Sequence, residues 1–451
     1  MMNLKLKLEI YPLISGLLSF IFYLITMNPS VDFIDSGELT AVAYALGVAH
    51  PTGYPFFTLI SHFFITLPIP LRVISKANLF SVFISSLALY FFAKFLILLS
   101  DQRSKHTEFF AFVSTLIFGF TQFFWEQAIT FEVHSFQMLL MSLLLFSIFK
   151  FEKTDEANYL FLFSFLLGLS FTNHLTVIFL LPSLVYIFIS NFVRKVKPEV
   201  LIFMFLFFLV GLSPFVYLFV RSSSGVVLNW GDPSTFENFL NHITGKQYRV
   251  WAFSSFEVMT KQISYFISKF PENFGYLALF PAVVGLWKIF KLQRKIFYFT
   301  TIAFLTCVLI SSNYDIHDIN AYFLTAIAMT SIWIFYGLTH LPRKIPNSFV
   351  VALSILCVLI PISVNFKKVD KSKNYLPEIY TLHILKNARP NAIIISYQWD
   401  YFVSPSLYFQ LVENVRKDIV VIDKELLRRS WYIKQLQRNY PWLIERSKKR
   451  S

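Results

Sequence analysis

DFIDSGELTAVAYALGVAHPTGYP, residues 32–55, directly follows an apolar run over 11–27 that is long enough to cross a bilayer. Two carboxylates, Asp35 and Glu38, therefore stand a few residues past a membrane exit, beside Gly37 and ahead of His50, Tyr54 and three of the prolines and glycines of HPTGYP. Acidic groups at the mouth of a span are costly to desolvate, so they are usually kept for a task. The plainer reading is a helix start, with Asp35 or Ser36 as the cap and Glu38 supporting the first turn. A cap accounts for one carboxylate and leaves HPTGYP without a reason, so the functional reading is preferred.

Outward from this stretch the composition sets the class. Hydrophobic residues make up 56% of the 451, Phe alone supplies 55, and charged residues are only 15%, against about a quarter in soluble domains. The sequence is that of a multi-span membrane protein. Its net charge of +14 does not point to nucleic acid, because the basic residues fall largely between apolar runs, where they orient the chain. Cys307 and Cys357 lie inside apolar runs, so no disulfide framework is implied. Lys5 and Lys7 ahead of the run over 11–27 resemble a signal peptide, but no small-residue cleavage site follows. An uncleaved first span is expected.

About eleven spans are expected, over 11–27, 77–99, 109–125, 133–149, 159–171, 175–192, 200–220, 274–289, 297–311, 321–338 and 349–364. Lys5 and Lys7, Arg103 and Lys105, Lys150 and Lys153, the 194–197 and 288–295 clusters, and Arg343 with Lys344 all fall on one side. The alternate connections 172–174 and 312–320 carry no Lys or Arg. The positive-inside rule makes the first group cytoplasmic, and an odd span count puts the C-terminus outside. A membrane domain over 1–364 is expected to carry two large outer loops, 28–76 and 221–273, followed by an outer α/β region over 365–451. Within the first loop the apolar section 54–67 is bounded by Pro and reads as an interfacial or re-entrant helix. In the tail, 392–396 and 419–422 read as short strands flanking a helix that begins near Ser404.

Polar groups cluster on the outer side. Glu126, Glu132 and His134 lie between the third and fourth spans, Asn173 and His174 in the turn FTNHLT, Arg221 at a span end, and Asp315, His317, Asp318 and Asn320 after the ninth span. Singly, each has a plain explanation: Asn-His closes a turn, Asp315 and Asp318 are solvated, and Arg221 snorkels. Together with Asp35 and Glu38 they favour a polar cavity that opens outward. A carboxylate there suits a general base for an incoming hydroxyl. Arg221, Lys246 or Arg249 suits a departing phosphate. These are parts for moving a sugar from a lipid-linked phosphate to a hydroxyl acceptor. No Gly-rich phosphate loop or dinucleotide fingerprint is present. Asp35, Glu38, His50 and Asp318 are ligand types for a divalent metal, but no spacing is diagnostic, so no cofactor is certain.

Several stretches carry a resemblance. DSGELTAVAYALGVAHPTGYP (35–55), GLSFTNHLT (168–176), NWGDP (229–233), HITGKQYR (242–249), SYQWDYFVSPSLYFQLVE (396–413) and DKELLRRSWY (423–432) are similar to one family. It was once catalogued as a domain of unknown function and is now associated with the transmembrane O-mannosyltransferase acting on plexin-type receptor domains. The first outer loop resembles that of the GT-C integral-membrane glycosyltransferases more widely, and the matches run over about 30–440. The resemblance implies an all-α GT-C fold, a polyprenyl- or dolichyl-phosphate hexose donor (mannose in the named relative), and inverting transfer. Carried over, the catalytic Asp of the first loop falls on Asp35, with Glu38 as its acidic neighbour. His50, Tyr54, Asn173, His174, Arg221, Lys246, Arg249, Asp315 and Asp318 are the candidate substrate-binding residues. The acceptor is a hydroxyl of a protein, glycan or lipid, and the site faces outward from the inner or plasma membrane. The competing classes are a transporter or flippase of lipid-linked sugars and a non-catalytic scaffold of envelope assembly. A transporter predicts internal repeats and paired broken helices, which the sequence does not display.

Overall fold

The protein was analysed as a computed structural model, which describes residues 10–100, 105–192, 196–341 and 346–443. Of the basic residues used above for orientation, Lys5, Lys7, Arg103, Arg194, Arg343 and Lys344 lie outside the described residues. The architecture is mostly helical, as an apolar chain in lipid requires, because a helix satisfies its backbone polar groups within one segment. Among the described residues, six helices are long and apolar enough to cross a membrane: Val73–Leu98, Val133–Thr154, Pro198–Ser223, Arg294–Ser312, Ile319–Thr339 and Asn347–Val369. Shorter apolar helices are Ile10–Thr26, Pro55–Ile65, Asn158–Asn173 and Leu175–Ser190. The first, third and fourth of these, with Leu279–Leu292, occupy the remaining expected spans. Pro198–Ser223 turns Ile202, Phe205 and Val216 outward, each at least 60% exposed. Such a face is stable against lipid and not against water. The protein is a multi-pass membrane protein.

One expected span is broken. His106–Gly119 and Gln122–Ala128 meet at 75°, where the sequence reads as one continuous span over 109–125. The break is held from distant parts of the chain. Asn365 Nδ2 donates to Phe120 O at 2.9 Å, and Asn273 Oδ1 accepts the Phe123 N–H at 2.9 Å. These two amides replace hydrogen bonds that a continuous helix would make itself.

The loop over 28–76 folds as two short helices, Ser36–Ala45 and Pro55–Ile65, the second where the apolar section 54–67 was read. Strands β1 (Ile393–Ser396) and β2 (Val420–Asp423) form a two-stranded parallel sheet, with helix Ser404–Leu411 on the crossover between them. This tail region packs onto the first loop. Ser404 Oγ accepts the Glu38 N–H at 3.0 Å, and a Cβ on Gly37 would fall inside the van der Waals radius of Ser404 O. Arg72, from the end of the first loop, reaches Glu378 at 3.0 Å and Glu413 at 2.8 Å. Asp32 is ion-paired with Lys371 and accepts from Asn374 at 3.1 Å.

Gly37→Ala should therefore separate tail from loop, because the clash is with backbone and no rotamer relieves it. Overpacking of this kind costs about 1–3 kcal/mol. The expected outcome is a lower thermal midpoint in detergent together with faster proteolysis of the tail, and an unchanged midpoint would contradict the contact.

Candidate active site

Asp35 occupies the position before helix Ser36–Ala45, where the cap reading put it, but its side chain makes no capping hydrogen bond. It is turned to the tail, where Trp399 Nε1 donates to Asp35 Oδ1 at 2.8 Å. One turn on, Glu38 is buried and holds His50 twice: Oε1 accepts the His50 N–H at 3.0 Å and Oε2 accepts from Nδ1 at 2.8 Å. The opposite ring nitrogen, Nε2, is 2.9 Å from Tyr54 Oη, whose proton goes to Pro51 O at 3.0 Å, and 3.5 Å from Asp35 Oδ2. Both ring nitrogens thus face acceptors, the geometry of an imidazolium. HPTGYP has its reason here. It presents the ring and the phenol four residues apart to one pair of carboxylates.

Charge follows geometry. Burial pulls the His50 pKa down, but the Asp35 and Glu38 charges and the bond to Glu38 outweigh it and raise it to about 9. Burial pushes the Glu38 carboxyl up, with the Asp35 charge adding to this and His50 opposing it. Burial and the Asp35 charge push Asp318 up to about 6.

The helix and loop are clamped from behind by the loop over 221–273. Val48 N donates to Leu228 O at 2.8 Å and Trp230 N to Val48 O at 3.2 Å. NWGDP thereby carries Trp230 to the edge of His50 (ring centroids 5.9 Å apart) and of Trp399 (5.3 Å). Arg221 Nε and Nη2 donate to the carbonyls of Leu46 and Ala45 at 2.7 and 3.4 Å. A cation at these last carbonyls complements the helix dipole.

In front of Asp35 lies a cavity of about 1020 Å³. Asp35, His50, Tyr54, His174, Arg249, Asp315 and Asp318 all line it, so the structure gathers seven of the eleven sequence candidates around one space. Glu38 stands behind His50 and borders a smaller neighbouring cavity of about 290 Å³. Three more candidates do not reach the large cavity. Asn173 donates to Val133 O at 3.3 Å and Gln137 Oε1 at 2.8 Å, which ties its turn to helix Val133–Thr154. Arg221 is committed to the helix end. Lys246 is exposed and is not part of the lining. Sequence reasoning left unassigned Trp399, Trp230 and Tyr248, and the cations Lys261, Arg428 and Arg429, all of which do line the cavity. Five of these, Trp399, Trp230, Tyr248, Arg428 and Arg429, stand inside quoted motifs, which was the one available signal.

Solved structures share this architecture. ArnT from Cupriavidus metallidurans bound to undecaprenyl phosphate superposes with a TM-score of 0.55 at 11% identity, covering 93% of this chain and 90% of ArnT. The apo form gives 0.58 at 12% identity with the same coverage. The chain has the fold of the GT-C membrane glycosyltransferases. Within that class, residues 35–197 match the description Protein O-mannosyl-transferase TMEM260 N-terminal domain, and 378–441 match TMEM260-associated domain 2. The two matches take in both walls of the site, Asp35 and Trp399 included, so the chain is similar to this family on both sides of the cavity. Protein O-mannosyl-transferase TMEM260 of Mus musculus is 25% identical over 93% of the chain, and its Dictyostelium discoideum counterpart 27% over 91%. The chain spans 63% and 57% of the length of these two relatives.

A pH dependence follows from His50. The folded ring holds its proton more tightly than a free ring, so its contribution to stability is complete below the ordinary pKa near 6.5 and is lost as pH rises through about 9. The thermal midpoint in detergent should fall across that window, and His50→Gln should remove most of the slope. A variant with the wild-type slope would show that His50 is not the group responsible.

Proposed function

We propose that the chain is a membrane hexosyltransferase. It moves a hexose, mannose by the names of its relatives, from a polyprenyl-phosphate donor to a hydroxyl acceptor on a protein, glycan or lipid. The observation that carries this reading is Asp35 itself. Its carboxylate is steadied by Trp399 and His50 and faces a cavity large enough for a sugar and an acceptor. The titles and names of the similar proteins support the two substrates: undecaprenyl phosphate is bound in one ArnT structure, and the curated relatives are named O-mannosyl-transferases.

Asp35 takes the proton of the acceptor hydroxyl as its oxygen attacks the anomeric carbon. The bond from that carbon to the phosphate oxygen breaks, and polyprenyl phosphate leaves with the electron pair, which inverts the anomeric centre. Arg249 is the sequence candidate that remains for the departing phosphate, with Lys261, Arg428 and Arg429 as further cations of the same cavity. His50 positions Asp35, and Glu38 keeps His50 protonated. Asp35, Glu38 and His50 also offer one ligand atom each within 4.8 Å of one another, a donor set that fits a divalent cation. A cation there and a proton on His50 are alternatives, so chelation followed by metal add-back distinguishes them. We place the cavity and the tail on the extracytoplasmic face and read eleven spans, on the alternation of Lys and Arg between connections.

With purified protein and a synthetic polyprenyl-phosphate mannose donor, Asp35→Asn should lower transfer by about 100- to 10,000-fold with the fold intact. Arg249→Ala should raise the donor KM by about tenfold or more, as loss of a charge-assisted hydrogen bond does. An Asp35→Asn rate within a few-fold of wild type would rule out Asp35 as the base. Labelling from outside should reach a cysteine placed at Asp232 and not one at Lys291, and the reverse pattern would invert the proposed topology.

A further inference from the structure

Glu132 lines the wall of the large cavity and takes no part in the mechanism above. Glu132 precedes helix Val133–Thr154 with extended backbone (φ −140°, ψ 150°), and its side chain makes no capping hydrogen bond. Its position is fixed from the side, because Asn78 Oδ1 accepts the Phe131 N–H at 2.9 Å. The same Asn78 donates to Ser30 O at 3.0 Å, so one amide ties the loop of Asp35 to the connection of Glu132. The other cavity carboxylates are partly accounted for. Asp35 accepts from Trp399, Asp423 accepts the Leu426 N–H at 2.8 Å, and Glu425 pairs with Arg428 at 3.2 Å. Among the described residues, no hydrogen bond or ion pair reaches the carboxyl group of Glu132.

A polar group left like this in a protein wall is costly unless a ligand or water completes it. The charges that act on Glu132 say which ligand. Asp35 and Asp318 both act on it, and with burial as the larger cause they push its carboxyl well up. A phosphate is therefore repelled, whereas a neutral hydroxyl group is not. A carboxyl that keeps its proton both donates and accepts, which matches a pair of adjacent hydroxyls. The rings of His134, His174 and Tyr54 line the same cavity, His134 edge-on to His174 with centroids 4.6 Å apart and Tyr54 stacked on His174 at 5.7 Å, and they offer ring edges to a sugar.

We infer that Glu132 reads the donor sugar: its carboxyl group hydrogen-bonds hydroxyls of the hexose ring while Asp35, in the same cavity, addresses the acceptor. This rests on the transferase reading above and assigns the sugar subsite within it. The test uses purified full-length protein, a mannosyl-phosphoprenyl donor and its monodeoxy analogues. Glu132→Ala should lose about 10- to 100-fold in kcat/KM on the full donor, and Glu132→Gln, which keeps a donor and an acceptor, should stay within a few-fold of wild type. At least one deoxy donor should be slow with wild type and no slower with Glu132→Ala, because the two changes delete the same hydrogen bond. Equal losses from Glu132→Ala on every deoxy donor, or an unchanged rate on the full donor, would overturn the assignment while leaving the transferase standing. Wild-type protein that transfers no sugar from any polyprenyl donor would overturn both.

Discussion

Where the first turn of helix Ser36–Ala45 crosses Ser404 there is room for the hydrogen on Gly37 and for nothing larger. That closeness lets Ser404 take the Glu38 N–H, a donor that a capping side chain would otherwise have satisfied. Asp35 is thereby released from capping and accepts from Trp399, five residues before Ser404 in the sequence. Glu38, fixed at its own backbone, holds His50 at both the ring and the main chain, and His50 in turn meets Tyr54 and Asp35. The site is thus a chain of contacts that starts at one glycine. Arg221 at the far end of the same helix and the Val48–Leu228 pairing behind it keep that chain in place.

The helices were legible because lipid leaves the backbone few choices: an apolar run of sufficient length must be a helix. Legible too were the residues whose chemistry is unusual for their place, and Asp35, His50, His174 and Asp318 do share one cavity. The misses have a common cause. Whether a cation faces a cavity or a helix end depends on which carbonyls lie within reach, and in Arg221 those carbonyls belong to residues 175 and 176 positions away. The break between Gly119 and Gln122 is likewise made by Asn273 and Asn365, and nothing local to the break announces it. Trp399 looked like one aromatic among many until the tail was seen on the first loop. Periodicity reports on neighbours along a helix, and these are contacts between segments.

The bond between Trp399 and Asp35 joins residues 364 positions apart, and this bears on how the protein is made. At roughly 5–20 residues per second of synthesis, Asp35 is exposed on the order of tens of seconds before its partner exists. Until then the first turn lacks Ser404 and the carboxylate lacks its indole donor. A nascent chain stalled in the membrane holds all of its early spans and no finished site. The contacts that position Asp35 and Glu38 therefore form only after Trp399 and Ser404 have been made.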